Sequence, residues 1–265
     1  MRIFTNLRQG DPASRYGPGA HSLAEPNPQQ LTANAIESCR NLQQLTANAE
    51  KGRVRVATVS NPSLRELVTA LKRREPRCGQ TRVVLIDGPA GSGKTTLANR
   101  LAVALGGEPS GGAGTFDPAH PVSPGDVAQI LHGDDMYEGW GGLATLDSVL
   151  LDQVLRPLAA GENAGFRMWD WVAGARTHLV HVAPVQYLLI EGVGVAQRHA
   201  RHFASFVVYV DAPAAVRLRR GLDRDGEHMR DEWDRWQHLE DEHLREHGTR
   251  AAADAVVDGT SEIPD

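Results

Sequence analysis

The sequence predicts a three-layer α/β fold in which helices cover both faces of a parallel sheet. Short apolar runs alternate with longer segments of helical periodicity through most of the chain. Several of the apolar runs end at an acidic residue or at a glycine-rich turn. Strands that alternate with helices form parallel sheets, and such sheets bind ligands at the carboxyl ends of their strands.

The clearest apolar run is Val83–Ile86, which we expect to be a buried strand. It leads into Gly88–Thr95, whose sequence GPAGSGKT fills the G-x-x-x-x-G-K-[ST] pattern of a P-loop, and a helical pattern follows. The glycines let backbone N–H groups turn toward an anion, and the start of the helix near Gly93 adds its positive dipole end. We therefore expect a nucleoside triphosphate here, with Lys94 at the β- and γ-phosphates and the Thr95 hydroxyl on Mg²⁺. The residues expected to contact ATP are Gly88, Ala90, Gly91, Ser92, Gly93, Lys94, Thr95 and Thr96.

The other elements follow from periodicity and turn residues. A helix is expected to start at Asn61-Pro62 and to place Leu64, Leu67, Val68 and Leu71 on one face. After the P-loop, Leu97, Leu101 and Leu105 line a core helix that Gly106-Gly107 ends. Residues 106 to 125 are dense in Gly and Pro and predict a surface loop.

The second half of the domain continues the alternation. The predicted strands are Val127–Leu131, Phe166–Trp171, Val185–Ile190, Phe206–Val210 and Ala255–Asp258. The predicted helices are Leu146–Leu158, Pro213–Arg224 and about Arg230–Glu246, in the last of which Trp233, Trp236 and Leu244 would pack against the sheet. We assign Phe166–Trp171 to a small insertion on the substrate side and Pro213–Arg224 to a helical lid.

Residues 1 to 60 differ from the rest in composition. They are rich in Gln, Asn, Ala, Pro and Gly, and the segment QQLTANA occurs in them twice. Two copies are too few for a repeat architecture, so we expect a poorly ordered extension. The ordered domain is predicted to span residues 61–260.

The overall composition limits the classes of partner. A net charge of −5 and a pI near 6.1 provide no basic field, so nucleic acid is not a favoured partner. No apolar run approaches the length that spans a bilayer, and the start of the chain lacks the apolar region of a secretory signal. Cys39 and Cys78 have no metal or disulfide spacing, which fits a cytoplasmic protein. The oligomeric state stays open, a homo-oligomer included.

Acidic residues stand at the ends of two predicted strands. Asp134 and Asp135 follow Val127–Leu131, and Glu191 follows Val185–Ile190. A carboxylate at such a position can accept a proton from a hydroxyl and can contact the water shell of a metal. We expect Asp134 to be a general base and a metal neighbour, Glu191 to contribute to the metal site, and Asp135 to be the solvent-side neighbour of Asp134. The alternative is that these carboxylates cap turns.

Three arginines share one face of the predicted lid helix. Arg217, Arg220 and Arg224 recur at spacings of three and four. Cations on a mobile helix could close over a triphosphate and neutralise the charge that develops in the transition state. The alternative is a solvated basic face that Asp223 and Asp225 balance.

A mixed aromatic and charged group lies between the second and third core strands. It contains Trp169, Asp170, Trp171 and Arg176. The tryptophans could stack on a flat ring, and Asp170 could bind sugar hydroxyls. In the alternative interpretation the tryptophans fill core space and Asp170 pairs with Arg176.

Taken in order, these motifs resemble those of the uridine kinase-like family of P-loop kinases, which is related to phosphoribulokinase and pantothenate kinase. The resemblance covers roughly residues 81 to 258 and rests on GPAGSGKTT, HGDDMY, MWDWVAGAR, LLIEGV and VDAPAAVRLRRGLDRD. It implies the three-layer P-loop NTPase fold, ATP with Mg²⁺, and a small hydroxyl-bearing acceptor.

The resemblance also implies roles for single residues. Asp134 corresponds to the family's base and Tyr137 lies near the acceptor, while Glu191 corresponds to the metal-linked glutamate. The lid pattern corresponds to Arg217, Arg220, Arg224 and Asp225. On the acceptor side the chain departs from the family. Trp169-Asp170 stands for Tyr-Asp, Arg176 keeps the arginine, but Gly174 occupies the place of a histidine, and an acidic F-D-x-P segment is absent.

The sequence therefore predicts an ATP-dependent kinase for a small molecule, with a nucleoside such as uridine or cytidine favoured. Pantothenate, a sugar or a nucleoside monophosphate remain alternative acceptors, and a non-catalytic ATP-binding module remains an alternative of another class. The base-reading motif of GTPase switches and the signature of ABC-type ATPases do not occur.

Overall fold

The structure is a computed structural model that describes residues 60–114 and 126–265. The predicted N-terminal extension with its QQLTANA repeat, apart from its last residue, lies outside the described residues. So does the second half of the loop predicted for residues 106 to 125. In the part that is described, no helix is long and apolar enough to cross a membrane.

Five parallel strands form the central sheet, in the order β2-β5-β1-β6-β7. The strands of this sheet are β1 (Arg82–Asp87), β2 (Ala128–His132), β5 (Tyr187–Glu191), β6 (Ala204–Asp211) and β7 (Ala255–Asp258). The helices are α1 (Leu64–Lys72), α2 (Lys94–Leu105), α3 (Arg156–Ala159), α4 (Ala214–Asp225) and α5 (Arg230–His247). The predicted parallel α/β sheet is confirmed, and each core strand lies within two residues of its predicted bounds.

Alternate residues of the central strands point to opposite faces of the sheet. On one face Val84, Leu189 and Val208 pack against the apolar sides of α1 and α2. On the other face Leu85 and Ile190 pack within a larger core that includes the segment before α3 and Trp236 of α5. Both faces are thus covered, as the near-continuous apolar character of the strands predicts.

An antiparallel hairpin replaces the single strand predicted between β2 and β5. It consists of β3 (Ala164–Asp170) and β4 (Ala175–Val182). The sequence analysis missed β4 because its exposed residues include Leu179, so the run does not show a clean alternation of apolar and polar positions. Phe166 and Val180 face the core from this hairpin.

The helix predicted from Leu146 to Leu158 is π-helical over Ser148–Leu155 before it continues as α3. Pro157 lies in the first turn of α3. A proline has no backbone N–H, and its ring clashes with the carbonyl four residues earlier in an α-helix. The wider π turn before Pro157 relieves that clash.

Helix α1 begins after Ser63, not at Asn61-Pro62. The Ser63 hydroxyl accepts the N–H of Glu66, and the Glu66 carboxylate accepts the N–H of Ser63, which is a capping box. Asn61 instead hydrogen-bonds the backbone of Asp258 in both directions. The backbone N–H of Leu64 donates to the Pro264 carbonyl at 2.7 Å, so the residues after the predicted end of the domain pack on α1.

The two tryptophans of helix α5 pack in different hydrophobic clusters. Trp236 joins the main core as predicted. Trp233 packs instead in a small cluster with Leu222 and Met229, against α4 rather than the sheet. Gly221 allows this contact, because a Cβ at that position would lie 2.3 Å from the indole ring.

Asp87, at the end of β1, is fully buried and fastens the P-loop strand to the loop after β5. Its Oδ1 accepts the N–H groups of Gly88 at 2.6 Å and Gly194 at 2.8 Å, and its Oδ2 accepts that of Ala196 at 2.8 Å. Burial raises the pKa of this carboxyl to about 6, although the three N–H donors oppose the shift.

We expect Asp87→Leu to lower Tm by about 10 °C or more, because it leaves three buried N–H groups unpaired at about 1–3 kcal/mol each. Asp87→Asn keeps an oxygen for Gly88 and Gly194 and should cost clearly less. Thermal unfolding followed by circular dichroism measures both variants. An Asp87→Leu protein that melts with the wild type would contradict this account.

Candidate functional site

The P-loop connects β1 to α2 and encloses a site for an anion. Gly88, Gly91 and Gly93 have positive φ angles of 135°, 76° and 109°, which turn the backbone in a way that other residues rarely adopt. Lys94 is the first residue of α2, and its buried Nζ donates to the Pro89 carbonyl at 2.9 Å. The ammonium group is therefore held inside the loop, at the positive end of a twelve-residue helix.

A chain of four hydrogen-bonded side chains runs from α2 across the ends of β5 and β2. The Thr95 hydroxyl donates to Glu191 Oε1 at 3.0 Å, and His132 Nδ1 lies 2.7 Å from the same oxygen. On the far side of the ring, His132 Nε2 lies 2.6 Å from the Ser110 hydroxyl. Glu191 and His132 are both buried.

This arrangement favours a charged pair. Burial alone would raise the pKa of Glu191, but the hydrogen bond from His132 and the charges of His132 and Lys94 hold it below its usual value. Burial likewise opposes protonation of His132, but the bond to Glu191 raises its pKa above the usual range. Glu191 thus remains a carboxylate beside the hydroxyl of Thr95.

Asp134 lies in the short 3₁₀ turn Gly133–Asp135 that follows β2. Burial and the nearby Glu191 raise the pKa of its carboxyl, while the positive charges of Lys94 and Arg224 act in the opposite direction. Asp134 thus lies within the electrostatic influence of Lys94, Glu191 and Arg224.

Asp135 is not the solvent-side neighbour that we expected. It is 5% exposed, and its Oδ1 accepts the N–H of Gly114 at 2.7 Å. It lines a cavity of about 660 Å³ beside the edge strand β2, together with His132, Gln129 and Phe166. Burial raises its pKa to about 6. Two adjacent aspartates therefore face different surroundings, because successive side chains in a 3₁₀ turn are rotated by about 120°.

Two of the three lid arginines hold protein groups rather than facing an open site. Arg217 is buried and donates to Glu240 and to the Ala212 carbonyl. Arg220 donates to the carbonyls of Gly91 at 3.0 Å and Gly259 at 2.9 Å. The expectation that both contact ATP is corrected accordingly: in this structure Arg217 binds Glu240 and the Ala212 carbonyl, and Arg220 binds the Gly91 and Gly259 carbonyls.

Arg224 differs from the other two. It forms a two-bond ion pair with Asp225 and lies over the Trp233 ring at 5.7 Å, while its side chain remains largely exposed. Its charge acts on both Asp134 and Glu191. Arg224 is thus paired with a carboxylate of its own helix and also lies within the electrostatic influence of Asp134 and Glu191.

Tyr137 does not present its hydroxyl to an acceptor in this structure. The side chain is fully buried, its hydroxyl donates to the Val193 carbonyl, and its ring lies 5.6 Å from that of Trp236. The expected substrate contact is corrected to a core contact.

The group around Trp169 follows neither of the two interpretations of the sequence. Asp170 Oδ1 accepts the N–H groups of Val172 and Ala173 at 2.9 Å, so it caps the hairpin turn and does not pair with Arg176. Arg176 donates to the Met136 and Arg167 carbonyls, pairs with Glu138, and lies 6.0 Å from the Trp169 ring. These contacts stabilise the hairpin.

Trp171 is the aromatic residue that hydrogen-bonds the backbone of the predicted base, Asp134. Its Nε1 donates to the Asp134 carbonyl at 2.8 Å, and its ring packs edge-on against Trp140 at 5.7 Å. Both indoles are partly exposed. The sequence analysis placed Trp171 in the aromatic group but did not single it out.

The residues present fit a triphosphate with Mg²⁺. Ser92 has a buried hydroxyl without a hydrogen-bond partner in the part of the chain that is described, and it lies in a loop with three glycines of positive φ. Thr95, Glu191 and Asp134 offer the oxygen donors that Mg²⁺ prefers. Among the described residues no cluster of three or more His, Cys, Asp or Glu could hold a metal alone, so phosphates and water would complete its shell.

Three further residues at the site were missed by the sequence analysis. His132 precedes the Gly-Asp-Asp turn, Asp87 directly precedes the P-loop, and Glu240 accepts the N–H of Ala90 in the P-loop at 2.7 Å. The position of Glu240 in the sequence could have indicated a buried polar role. It stands on the otherwise apolar face of α5 that includes Trp233, Trp236 and Leu244.

Two solved structures resemble this one over nearly their whole length. The first, described as a "possible uridine kinase" from Bacillus stearothermophilus, is 23% identical with a TM-score of 0.50, and the match covers 74% of this chain and 97% of that one. The second, described as a "putative fructose transport system kinase" from Silicibacter sp. TM1040, is 17% identical with a TM-score of 0.50, and the match covers 74% and 98%. No protein-family model matches the sequence, and no curated protein matches it. At these identities the likeness is one of fold, and this chain has the parallel α/β fold of both neighbours.

We expect His132→Leu to weaken the binding of ADP with Mg²⁺ by about tenfold, because Glu191 loses a charge-assisted hydrogen bond beside Thr95. His132→Asn can place an amide N–H where Nδ1 stands and should restore most of the affinity. Calorimetric titration with ADP, with and without Mg²⁺, measures the effect. Equal affinities for the wild type and His132→Leu in Mg²⁺ would refute the role of this bond.

Proposed function

We propose that this protein is an ATP-dependent kinase that transfers the γ-phosphate to a hydroxyl of a small molecule, most favourably a nucleoside such as uridine or cytidine. The proposed catalytic domain spans residues 61–260. A cytoplasmic location is part of the proposal, and the buried free thiol of Cys78 is compatible with it.

One observation carries the proposal. Lys94, Thr95, Glu191 and Asp134 converge at the carboxyl ends of three neighbouring strands, with Arg224 acting on both carboxylates. Phosphoryl transfer requires a phosphate site, a metal, a group that orients or deprotonates the acceptor, and cations for the developing charge. This set supplies a candidate for each requirement.

In the proposed site, ATP binds to the P-loop. Its contacts would come from Gly91, Ser92, Gly93, Lys94, Thr95 and Thr96, while Gly88 and Ala90, whose N–H groups are held by Asp87 and Glu240, would line the loop around the phosphates. Lys94 would stabilise the β- and γ-phosphates, and Arg224 the charge on the phosphoryl group in transfer. Thr95, Glu191 and Asp134 would hold Mg²⁺, which when bound neutralises phosphate charge.

The proposed reaction is a direct in-line transfer. Asp134 accepts the proton of the acceptor hydroxyl, the hydroxyl oxygen forms the new bond to the γ-phosphorus, and the bond from that phosphorus to the bridging oxygen breaks. ADP leaves, and no covalent enzyme intermediate forms.

The residues on the acceptor side favour an acceptor with a flat ring, such as a nucleoside. The partly exposed indoles of Trp171 and Trp140 lie beside the Asp134 turn, and aromatic faces suit a nucleobase. A sugar remains the second candidate. Asp170, which could have bound sugar hydroxyls, caps the hairpin turn instead and so does not distinguish the two acceptors. Pantothenate and nucleoside monophosphates complete the panel.

The test is a screen for ADP release with nucleosides, nucleoside monophosphates, sugars and pantothenate, in which mass spectrometry identifies the phosphorylated product. Lys94→Met, which keeps the length of the side chain but not its charge, is the control for contaminating kinases. A protein that binds ATP and phosphorylates no acceptor would support the non-catalytic module instead.

With the best acceptor, Asp134→Asn should lower kcat by about 10²–10⁴-fold with little change in ATP affinity, because the amide cannot accept the proton. Asp135→Asn, which faces the cavity beside β2, should retain most of the rate. Steady-state kinetics of the two variants decide this. A near-normal Asp134→Asn enzyme would exclude Asp134 as the base, and an inactive Asp135→Asn enzyme would assign that role to its neighbour.

A further inference from the structure

A buried glutamate from α5 reaches the P-loop backbone. Glu240 is 0% exposed, and its Oε2 accepts the N–H of Ala90 at 2.7 Å. A bond from an N–H to a buried carboxylate is stronger than a bond between neutral groups. The two residues are 150 positions apart in the chain, so a distant helix determines the orientation of this N–H.

Arg217 of α4 occupies the other oxygen of Glu240. Its Nη1 donates to Oε1, and its Nε donates to the Ala212 carbonyl at 3.0 Å. Burial raises the pKa of Glu240 to about 7, whereas the Ala90 N–H, Lys94 and Arg217 favour the ionised form. A buried ion pair is weak evidence for stabilisation, because apolar residues of similar volume often serve as well. This ion pair contacts the P-loop through the Ala90 N–H, which apolar residues could not do.

The peptide unit between Pro89 and Ala90 joins Glu240 to Lys94. Its N–H donates to Glu240 Oε2 on one side, and its carbonyl accepts Lys94 Nζ at 2.9 Å on the other. A peptide unit is planar, so an acceptor that fixes the direction of the N–H also fixes the direction of the C=O. Glu240 thereby orients the carbonyl that holds the ammonium group of Lys94.

The next residue of the P-loop lies against α4. A Cβ on Gly91 would come within 2.8 Å of the Arg217 carbonyl oxygen, and Arg220 donates to the Gly91 carbonyl at 3.0 Å. The P-loop is therefore held by two side chains on different backbone groups: the carboxylate of Glu240 on the Ala90 N–H, and the guanidinium of Arg220 on the Gly91 carbonyl.

We propose that Glu240 is a positioning residue that fixes the Pro89–Ala90 peptide unit, and through it Lys94, for the phosphates of the nucleotide. This inference rests on nucleotide binding by the P-loop within the proposed function and does not require phosphate transfer. A purely structural role would make nucleotide affinity follow fold stability. If Glu240 instead positions Lys94, a variant can keep the stability of the wild type and still bind the nucleotide more weakly.

The experiment compares three variants of the full chain. Glu240→Met removes the acceptor and leaves the buried Arg217 with only the Ala212 carbonyl and the more distant Asp241, at 4.0 Å, as partners. The double variant Arg217→Met, Glu240→Met removes both charges, so its stability should return toward that of the wild type, but the Ala90 N–H still lacks an acceptor. Glu242→Gln, an exposed glutamate of the same helix, is the matched control.

Three measurements are made on each variant: Tm, the affinity for ADP by calorimetry, and amide hydrogen exchange in the P-loop peptide. We expect the double variant to melt near the wild type and to bind ADP about tenfold more weakly. Its amide exchange should be faster than that of the wild type in the P-loop peptide but unchanged in α1. Glu242→Gln should match the wild type in all three.

A double variant that binds ADP as tightly as the wild type would overturn the proposal, and so would unchanged exchange in its P-loop. A wild-type protein that binds ADP but phosphorylates no acceptor would defeat the proposed kinase activity and leave the comparison of variants valid. A wild-type protein that binds no nucleotide would overturn both.

Discussion

The site depends on the parallel register of three neighbouring strands. Ile86 of β1 and His132 of β2 both pair with Glu191 at the end of β5, so the strand that carries the P-loop and the strand that leads to Asp134 end at the same level of the sheet. A slip of one residue in β5 would turn Glu191 to the opposite face, away from Thr95 and His132. The apolar residues of these strands, buried on both faces, hold the register and thereby the polar site beyond it.

A site for a polyanion here includes several buried carboxylates, which by themselves would repel it. Each is balanced by donors from the protein: Asp87 by three backbone N–H groups, Glu191 by Thr95 and His132, and Glu240 by Ala90 and Arg217. These local donors reduce the repulsion that the carboxylates would exert, and the positive charges of Lys94 and Arg224 act in addition on Asp134. Two of the carboxylates, Asp87 and Glu240, also hold backbone N–H groups of the P-loop in place.

The sequence could predict whatever depends on local pattern. The P-loop, the core strands and the helices α2, α4 and α5 follow from motif and periodicity, and residues at strand ends converge because parallel sheets require it. The pairing partners of polar side chains could not be predicted in this way. Arg217 and Arg220 form part of a regular i, i+3 array, but the acceptors that hold them, Glu240 and the Gly91 carbonyl, come from distant parts of the chain. Burial of Tyr137 likewise depends on Trp236, almost 100 residues later.

The same reasoning explains why the acceptor is harder to infer than the phosphate donor. The phosphate side is built on a strand and a helix whose geometry the glycine pattern determines. The acceptor side is built on a 3₁₀ turn and the β3–β4 hairpin, where Asp170 caps a turn and Arg176 holds backbone carbonyls. These contacts place Trp171 against the backbone carbonyl of Asp134, so a side chain that touches the turn of the predicted base is presented by the hairpin and not by the central sheet. In the proposed kinase, substitutions in the hairpin can therefore change the specificity for the acceptor while the strand register and the P-loop stay the same.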